Sequence, residues 1–170
     1  MAPGEGLELV VRGVREDDLE AVHEILMSPH VIAGSMRVPM SPQSSTRDRL
    51  TPPPGVYQLV AEAESEIAGF AEPITYPDEP RQRHSGEINM VATHAGRLRQ
   101  GVGRALVEAI LDLADNWLNL SRVGLIVFDG NAPARRLYEG YGFTHEGTMP
   151  RFGFRDGSWM DAHMMGRLRN

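Results

Sequence analysis

The sequence predicts an α/β (α+β) domain: a mixed, mostly antiparallel central sheet of about six to seven strands, flanked by about four helices and ending in a C-terminal hairpin. Three observations predict it. The first half reads as a meander of strand-like segments. Residues 101–117 then form one long amphipathic helix that leads into a continuously apolar strand, and an Asp-Gly turn lies between aromatic-bearing segments near the end. At 170 residues the chain is the size of one domain, read as 1–170, which buries roughly 70% of its unfolded surface.

Alternation at Leu7, Leu9 and Val11 predicts the first strand. Glu16, Asp17 and Asp18 then supply acidic residues for the first turn of a helix carrying Leu19, Val22 and Leu26. From Ser28 to Gly55 the text turns to Ser, Pro and Thr, including Thr51-Pro52-Pro53-Pro54, and predicts a long loop with at most one short helix. Loops of that length in a small domain often carry substrate contacts. Val56–Ala63, Ile67–Ile74 and His84–Ala92 read as three meandering strands. Val102, Leu106, Ile110, Leu113 and Trp117 fall on one helical stripe, and Val123–Phe128 has the unbroken apolar character of a strand buried on both faces. Asn131 caps a helix of about 10 residues with Pro133 in its first turn, Leu137 and Tyr141 inward, and Gly142 at its end. Asp156-Gly157 lies between Phe152-Gly153-Phe154 and Trp159-Met160, a strong hairpin signal.

Composition removes several classes of function. Net charge is -6, from 17 Lys and Arg against 23 Asp and Glu, which argues against nucleic acid as a partner because phosphate-backbone binding needs a basic face. There are no cysteines, so disulfides, thiolate metal sites and a cysteine nucleophile are excluded, and cytoplasmic residence fits. Met-Ala-Pro-Gly-Glu-Gly at the start lacks the pattern of a leader, and no run approaches the roughly 18 apolar residues of a membrane span. His23, His30, His84, His94, His145 and His163 form no i,i+4 pair and no H-E-x-x-H arrangement, so no metal is expected.

Two constellations carry chemistry. The first is Arg99-Gln100-Gly101-Val102-Gly103-Arg104-Ala105-Leu106, a glycine-containing turn between a strand and the amphipathic helix. Glycines let backbone approach a phosphate, and the unpaired amides of a helix start favour an anion. The same pattern also occurs as a plain tight turn. Leu106 stands where a dinucleotide fingerprint needs its third glycine, and no Gly-Lys-Ser/Thr follows, so a Rossmann loop and a Walker loop are both excluded. The second constellation, about 30 residues on, is Asn131-Ala132-Pro133-Ala134-Arg135-Arg136-Leu137-Tyr138-Glu139-Gly140-Tyr141-Gly142-Phe143.

An R-x-x-G-x-G-type turn followed by N-x-x-A-x-x-L-Y-x-x-x-G-F resembles the signature of the GNAT acetyltransferases, and the order of elements resembles that fold over the full chain. The resemblance implies an acetyl-CoA-dependent N-acetyltransferase with acetyl-CoA as cosubstrate and no metal. It implies coenzyme contacts from Met90, Val91, Ala92, Arg99, Gln100, Gly101, Val102, Gly103, Arg104, Ala105, Asn131 and Tyr138. The family usually has Gln or Arg three residues before the first glycine. Here Leu98 stands there between Arg97 and Arg99, and the stretch Thr93 to Leu98 reads as one residue longer than usual. Asp115-Asn116-Trp117-Leu118, Val127-Phe128-Asp129 and the tail from Glu146 to Ala162 look closest to the YhhY-like branch, bacterial enzymes that acetylate free L-amino acids. That branch implies a small-molecule amine substrate and allows a homodimer. Acetylation of a protein amino terminus, a polyamine acetyltransferase and a non-catalytic CoA-binding regulator are the alternatives.

The reaction needs a neutral amine, a polarised carbonyl and a proton for the departing thiolate. Glu87, on the strand before the turn, is the expected general base. Tyr138 resembles the family tyrosine that protonates the thiolate, and a backbone N–H near Val91 is the expected oxyanion donor. Arg37 and His84 are candidates to hold a substrate carboxylate. Met36, Met40, Met149, Met160, Met164 and Met165 concentrate in the long loop and terminal hairpin, where core packing is the expected role and a pocket lining the other.

Overall fold

Seven strands form one sheet in the order β1-β2-β3-β4-β5-β7-β6. The structure is a computed structural model and describes residues 6–170; the amino-terminal reading above falls, for residues 1–5, outside the described residues. The strands are β1 Leu9–Gly13, β2 Leu59–Ala63, β3 Glu66–Thr75, β4 Ser85–Thr93, β5 Arg122–Phe128, β6 Thr144–Arg155 and β7 Ser158–Leu168. The helices are α1 Leu19–Leu26, α2 Pro29–Ala33, α3 Gln43–Arg49, α4 Val102–Asp112 and α5 Ala132–Glu139. The mixed, mostly antiparallel sheet matches the expectation, with β4 and β5 as its one parallel pair.

Helices cover both faces. On one, Val102, Leu106, Val107 and Ile110 of α4 pack on Ala61, Ala68, Ala71, Ile88, Val123 and Leu125. That face is paved with small residues, so the helix axis lies close; a Cβ at Gly69 would sit 2.5 Å from Val102. On the other face Val22, Ile25 and Leu26 of α1 and Val31 of α2 meet Val60, Phe70 and Ala92.

Three sequence expectations are corrected and a fourth holds. The tract from Ser28 to Gly55 holds two short helices, α2 and α3; Pro29 starts the first and Pro42 precedes the second, and neither has a long apolar period to announce it. The stripe predicted to reach Trp117 ends early. After Asp112 the chain continues as a π-helical turn, Leu113–Trp117, whose wider winding rotates the register and leaves Trp117 77% exposed. In β5, Ile126 is 50% exposed, because β4 no longer accompanies that end of the strand. The terminal hairpin stands where Asp156-Gly157 predicts it, and its turn has the positive φ at both positions, 47° and 76°, that a tight two-residue hairpin needs.

The parallel pairing of β4 with β5 runs only from Ser85 beside Arg122 to Ile88 beside Leu125. Beyond it β4 carries a bulge against β3: Glu72 faces Met90 and Pro73 faces Ile88, so Asn89 is the extra residue. Its side-chain amide donates to Glu72 Oε1 at 2.7 Å. Glu72 is buried and also accepts from Arg49 at 2.9 and 3.2 Å and from Gln58 at 2.8 Å, so its carboxylate ties α3, the approach to β2 and the bulge together. Among the described residues no helix is long and apolar enough to cross a membrane.

Glu72→Ala strands the Arg49 guanidinium and two amides at once, and removing one partner of a buried pair costs about 3–5 kcal/mol. The much more exposed pair of Glu64 with Arg97 is the control, where Glu64→Ala costs less than about 1 kcal/mol. Urea unfolding of both variants measures the contrast.

Candidate active site

Because β4 leaves β5 after Ile88, the β5-facing backbone of Asn89 to Thr93 has no strand beside it, and a cleft of about 1530 Å³ opens there. It runs from the start of α4, past the start of α5, to the loop after α2 and the terminal hairpin.

At one end the turn before α4 is built for an anion. Arg99 and Gly101 both take the left-handed conformation, φ 59° and 85°, and the chain then enters an 11-residue helix whose first hydrogen bond closes from Ala105 N–H to the Gly101 carbonyl. The amides before Ala105 lie in the first turn, where no earlier helical carbonyl can receive them. A Cβ at Gly101 would meet nothing within 4 Å, so the glycine is required by its backbone conformation and leaves the space in front open. Gly103 lies closer, where a Cβ would stand 3.4 Å from Leu137 of α5. Helix start, open space and the neighbouring Arg99 and Arg104 together form a cradle that suits a pyrophosphate. Between Thr93 and Leu98 the chain makes a 3-10 turn, Ala95–Arg97, in which the His94 ring accepts from Gly96 N–H.

Along the middle, Asn131 caps α5 by accepting from Ala134 N–H, and Tyr138 lines the cleft about two helical turns further on. Tyr138 is 8% exposed, edge-on to Phe143 at 5.7 Å between ring centroids. Burial pushes its phenol up to about 12, so it keeps its proton over the whole neutral and mildly alkaline range.

The far end is walled by the loop after α2 and by the hairpin. Arg155 donates to the Ala33 carbonyl across the cleft, and Met36 lies against Gly153 of β6. Arg37 lines this end beside Arg49, and its buried Nε has no hydrogen-bond partner. Partial burial, reinforced by Arg49, pushes the Arg37 guanidinium below its usual range.

The cleft brings together every expected coenzyme residue except Gln100 and Ala105, and it includes Arg37. Two expectations fall outside it. Glu87 is exposed on β4, beside Tyr76, whose phenol is pushed up by burial and by this carboxylate; the side chain sits where β4 is still paired to β5 and so is kept from the opening. His84 is exposed before β4, its carbonyl accepting from Ser121 and Arg122 N–H. Of the six methionines of the loop and hairpin, Met160 and Met165 are buried and Met36 alone lines the cleft, which Met90 of β4 also lines. Sequence reading missed Arg49, His30, Phe152 and Arg155, all of which line it. His30 is bonded to the Thr93 carbonyl at 2.7 Å and Arg49 to Glu72, pairings across more than 20 residues with no local signal. Among the described residues no group of three or more His, Cys, Asp or Glu is arranged to hold a metal ion.

Comparison with known proteins matches residues 19–143 to the acetyltransferase (GNAT) family. The L-amino acid N-acetyltransferase AaaT of Escherichia coli (strain K12) is 33% identical over 162 residues, covering 95% of this chain and 99% of its own. The phosphinothricin N-acetyltransferase of Alcaligenes faecalis is 29% identical over 167 residues, covering 94% of this chain and 82% of its own. The crystal structure of spermidine N-acetyltransferase from Vibrio cholerae, in complex with CoA and spermine, superposes with a TM-score of 0.81 at 22% identity, covering 94% of this chain and 95% of that one, a likeness of fold.

Gly101→Ala and Gly157→Ala each force a side chain into the left-handed region and each cost about 1–2 kcal/mol in urea unfolding. Gly101→Ala alone weakens CoA binding in calorimetry, because Gly157 lies in the hairpin turn away from the cradle.

Proposed function

We propose that this chain, which belongs to the acetyltransferase (GNAT) family and is an acetyl-CoA-dependent N-acetyltransferase, acts on the amine of a free L-amino acid or a close analogue of one. The observation that carries the acceptor is Arg37. A half-buried guanidinium whose buried Nε has no partner, next to a second arginine, is stabilised by an anion. A free amino acid brings a carboxylate one carbon from the amine to be acetylated. A polyamine brings only further positive charge, and the α-carbon of a peptide terminus carries an amide instead. The names of the L-amino acid and phosphinothricin enzymes among the relatives support the same class.

In this proposal the cradle at Gly101 to Arg104, with Arg99, holds the pyrophosphate, and the open edge of β4 from Met90 to Ala92 receives the pantetheine chain. Acetyl-CoA supplies an acetyl thioester. A backbone N–H near Val91 polarises its carbonyl, and Arg37 and Arg49 orient the acceptor through its carboxylate. Tyr138 stands as the proton donor to the departing thiolate. A phenol near 12 is a weaker acid than a thiol near 8.5, so net transfer is uphill unless the phenol is reprotonated in the same step. The nitrogen of the tetrahedral adduct must shed a proton at that moment and can supply it. The first ammonium proton leaves to water, since Glu87 lies outside the cleft. The reading extends to a cytoplasmic enzyme working as a homodimer.

A free-thiol release assay with acetyl-CoA against L-amino acids, polyamines and short peptides tests the acceptor; turnover confined to peptides or polyamines sinks the amino-acid reading. Arg37→Ala raises the KM for the amino acid about 10–100-fold, the worth of a charge-assisted hydrogen bond, and leaves the KM for acetyl-CoA unchanged. Tyr138→Phe lowers kcat about 100-fold with little change in CoA binding. In the unsubstituted enzyme kcat shows no loss attributable to Tyr138 through pH 10, where an exposed phenol would already ionise, because the folded-state value lies near 12.

A further inference from the structure

The terminal hairpin carries a cluster that the acetyl-transfer reading leaves unused. On one face of β6 and β7, His145 Nε2, His163 Nδ1 and Thr148 Oγ1 converge. The two ring nitrogens are 3.2 Å apart, and the hydroxyl is 3.1 Å from each. The rings are tilted at 59° with centroids 5.2 Å apart, so they meet by their nitrogen-bearing edges and do not stack.

Convergence follows from the register of the strands. Thr148 and His163 are direct cross-strand partners. His145 is three residues from Thr148, a spacing that in regular strand puts two side chains on opposite faces. Here the pairing slips between His145 and Gly147, leaving Glu146 as the extra residue, and the slip turns His145 onto the face of Thr148. Glu146 is turned the other way, over Gly166, where it pairs with Arg122 at 2.6 and 2.8 Å. The one nearby carboxylate in the bulge is thus engaged elsewhere.

The orientation of the His163 ring is fixed by a fourth group. Its Nε2 lies 2.8 Å from Asp129 Oδ1, and a carboxylate oxygen only accepts, so Nε2 is the donor of that hydrogen bond. Nδ1 is then the ring nitrogen turned toward His145 and Thr148. A carboxylate behind an imidazole whose other nitrogen points at two further donors is the arrangement that orients metal-binding histidines. Tetrahedral coordination at about 2.0–2.1 Å sets donor atoms roughly 3.3 Å apart, close to the three distances here.

We propose that His145 Nε2, His163 Nδ1 and Thr148 Oγ1 form a site for a borderline divalent transition metal, zinc or nickel, with Asp129 orienting His163. His145 and Thr148 are exposed, so water completes the coordination. Two imidazoles and a hydroxyl make a weaker set than the four His and Cys ligands of structural zinc sites, and a set selective for imidazole-loving ions over magnesium.

The test uses the untagged full chain stripped with a chelator. Calorimetric titration with zinc chloride and with nickel chloride shows one equivalent bound, while magnesium chloride gives no saturable heat. Zinc shifts the side-chain NMR signals of His145 and His163. Binding is lost in His145→Ala and in His163→Ala and unchanged in His84→Ala. Asp129→Asn keeps the ligands and weakens affinity about 10–100-fold. Unaltered circular dichroism of each variant keeps a loss of binding from being a loss of fold. Absence of saturable heat with both zinc and nickel, or retention of binding in either histidine variant, or magnesium binding of equal strength, overturns the site.

Discussion

The cleft exists because β4 stops following β5, and the Glu72 carboxylate holds it to that path. Parallel strands left to pair would run on together, burying Ile126 and closing the space between them. The extra residue at Asn89 breaks the pleat, and an amide turned out of register needs a strong acceptor. Glu72 provides it while also gripping Arg49, a cation that lines the cleft. One buried charge therefore shapes the strand edge and positions a wall of the site. Its cost in desolvation is offset by four donors.

The chain is acidic as a whole, with a net charge of -6, yet the cleft is lined by Arg37, Arg49, Arg99, Arg104, Arg136 and Arg155 against Asp129 as its acidic residue. The two ends use positive charge differently. At the α4 turn, exposed arginines and backbone amides suit the diffuse charge of a pyrophosphate, which stays partly wet. At the other end Arg37 is half-buried, with its Nε out of reach of solvent and unpartnered. Acidic outer surface and basic cleft together guide anionic ligands to the opening.

How far the sequence could be read depended on the range of the interaction involved. The α4 turn and the α5 start were legible because a helix start is written in neighbouring residues, Gly101 and Gly103 in one case and Asn131 with Pro133 in the other. The hairpin turn at Asp156-Gly157 was legible for the same reason. Trp117 was misplaced because a π-helical turn changes the period of the stripe without changing its composition. Ile126 looked like core because an apolar strand reads alike whether its neighbour stays or departs. Arg49 was invisible for a third reason: its partner Glu72 lies 23 residues away, and nothing near either residue marks the pairing. Glu87 was nominated by its strand, but its place along that strand, before the divergence, was decided by β5.

The strand order has a consequence for how the chain is made. β7 lies between β5 and β6, so β5, with its run Val123 to Phe128, has an unpaired side until Ser158–Leu168 has been synthesised. A nascent chain that has just emitted α5 holds the whole glycine turn before α4 and the start of α5 but shows a bare apolar edge, the kind that recruits other chains. Arg155 and Phe152, which line the far end of the cleft, arrive with the same late segment. A ribosome stalled after α5 would thus present a protein equipped for half of its chemistry and exposed to misassembly, and the last strand cures both at once.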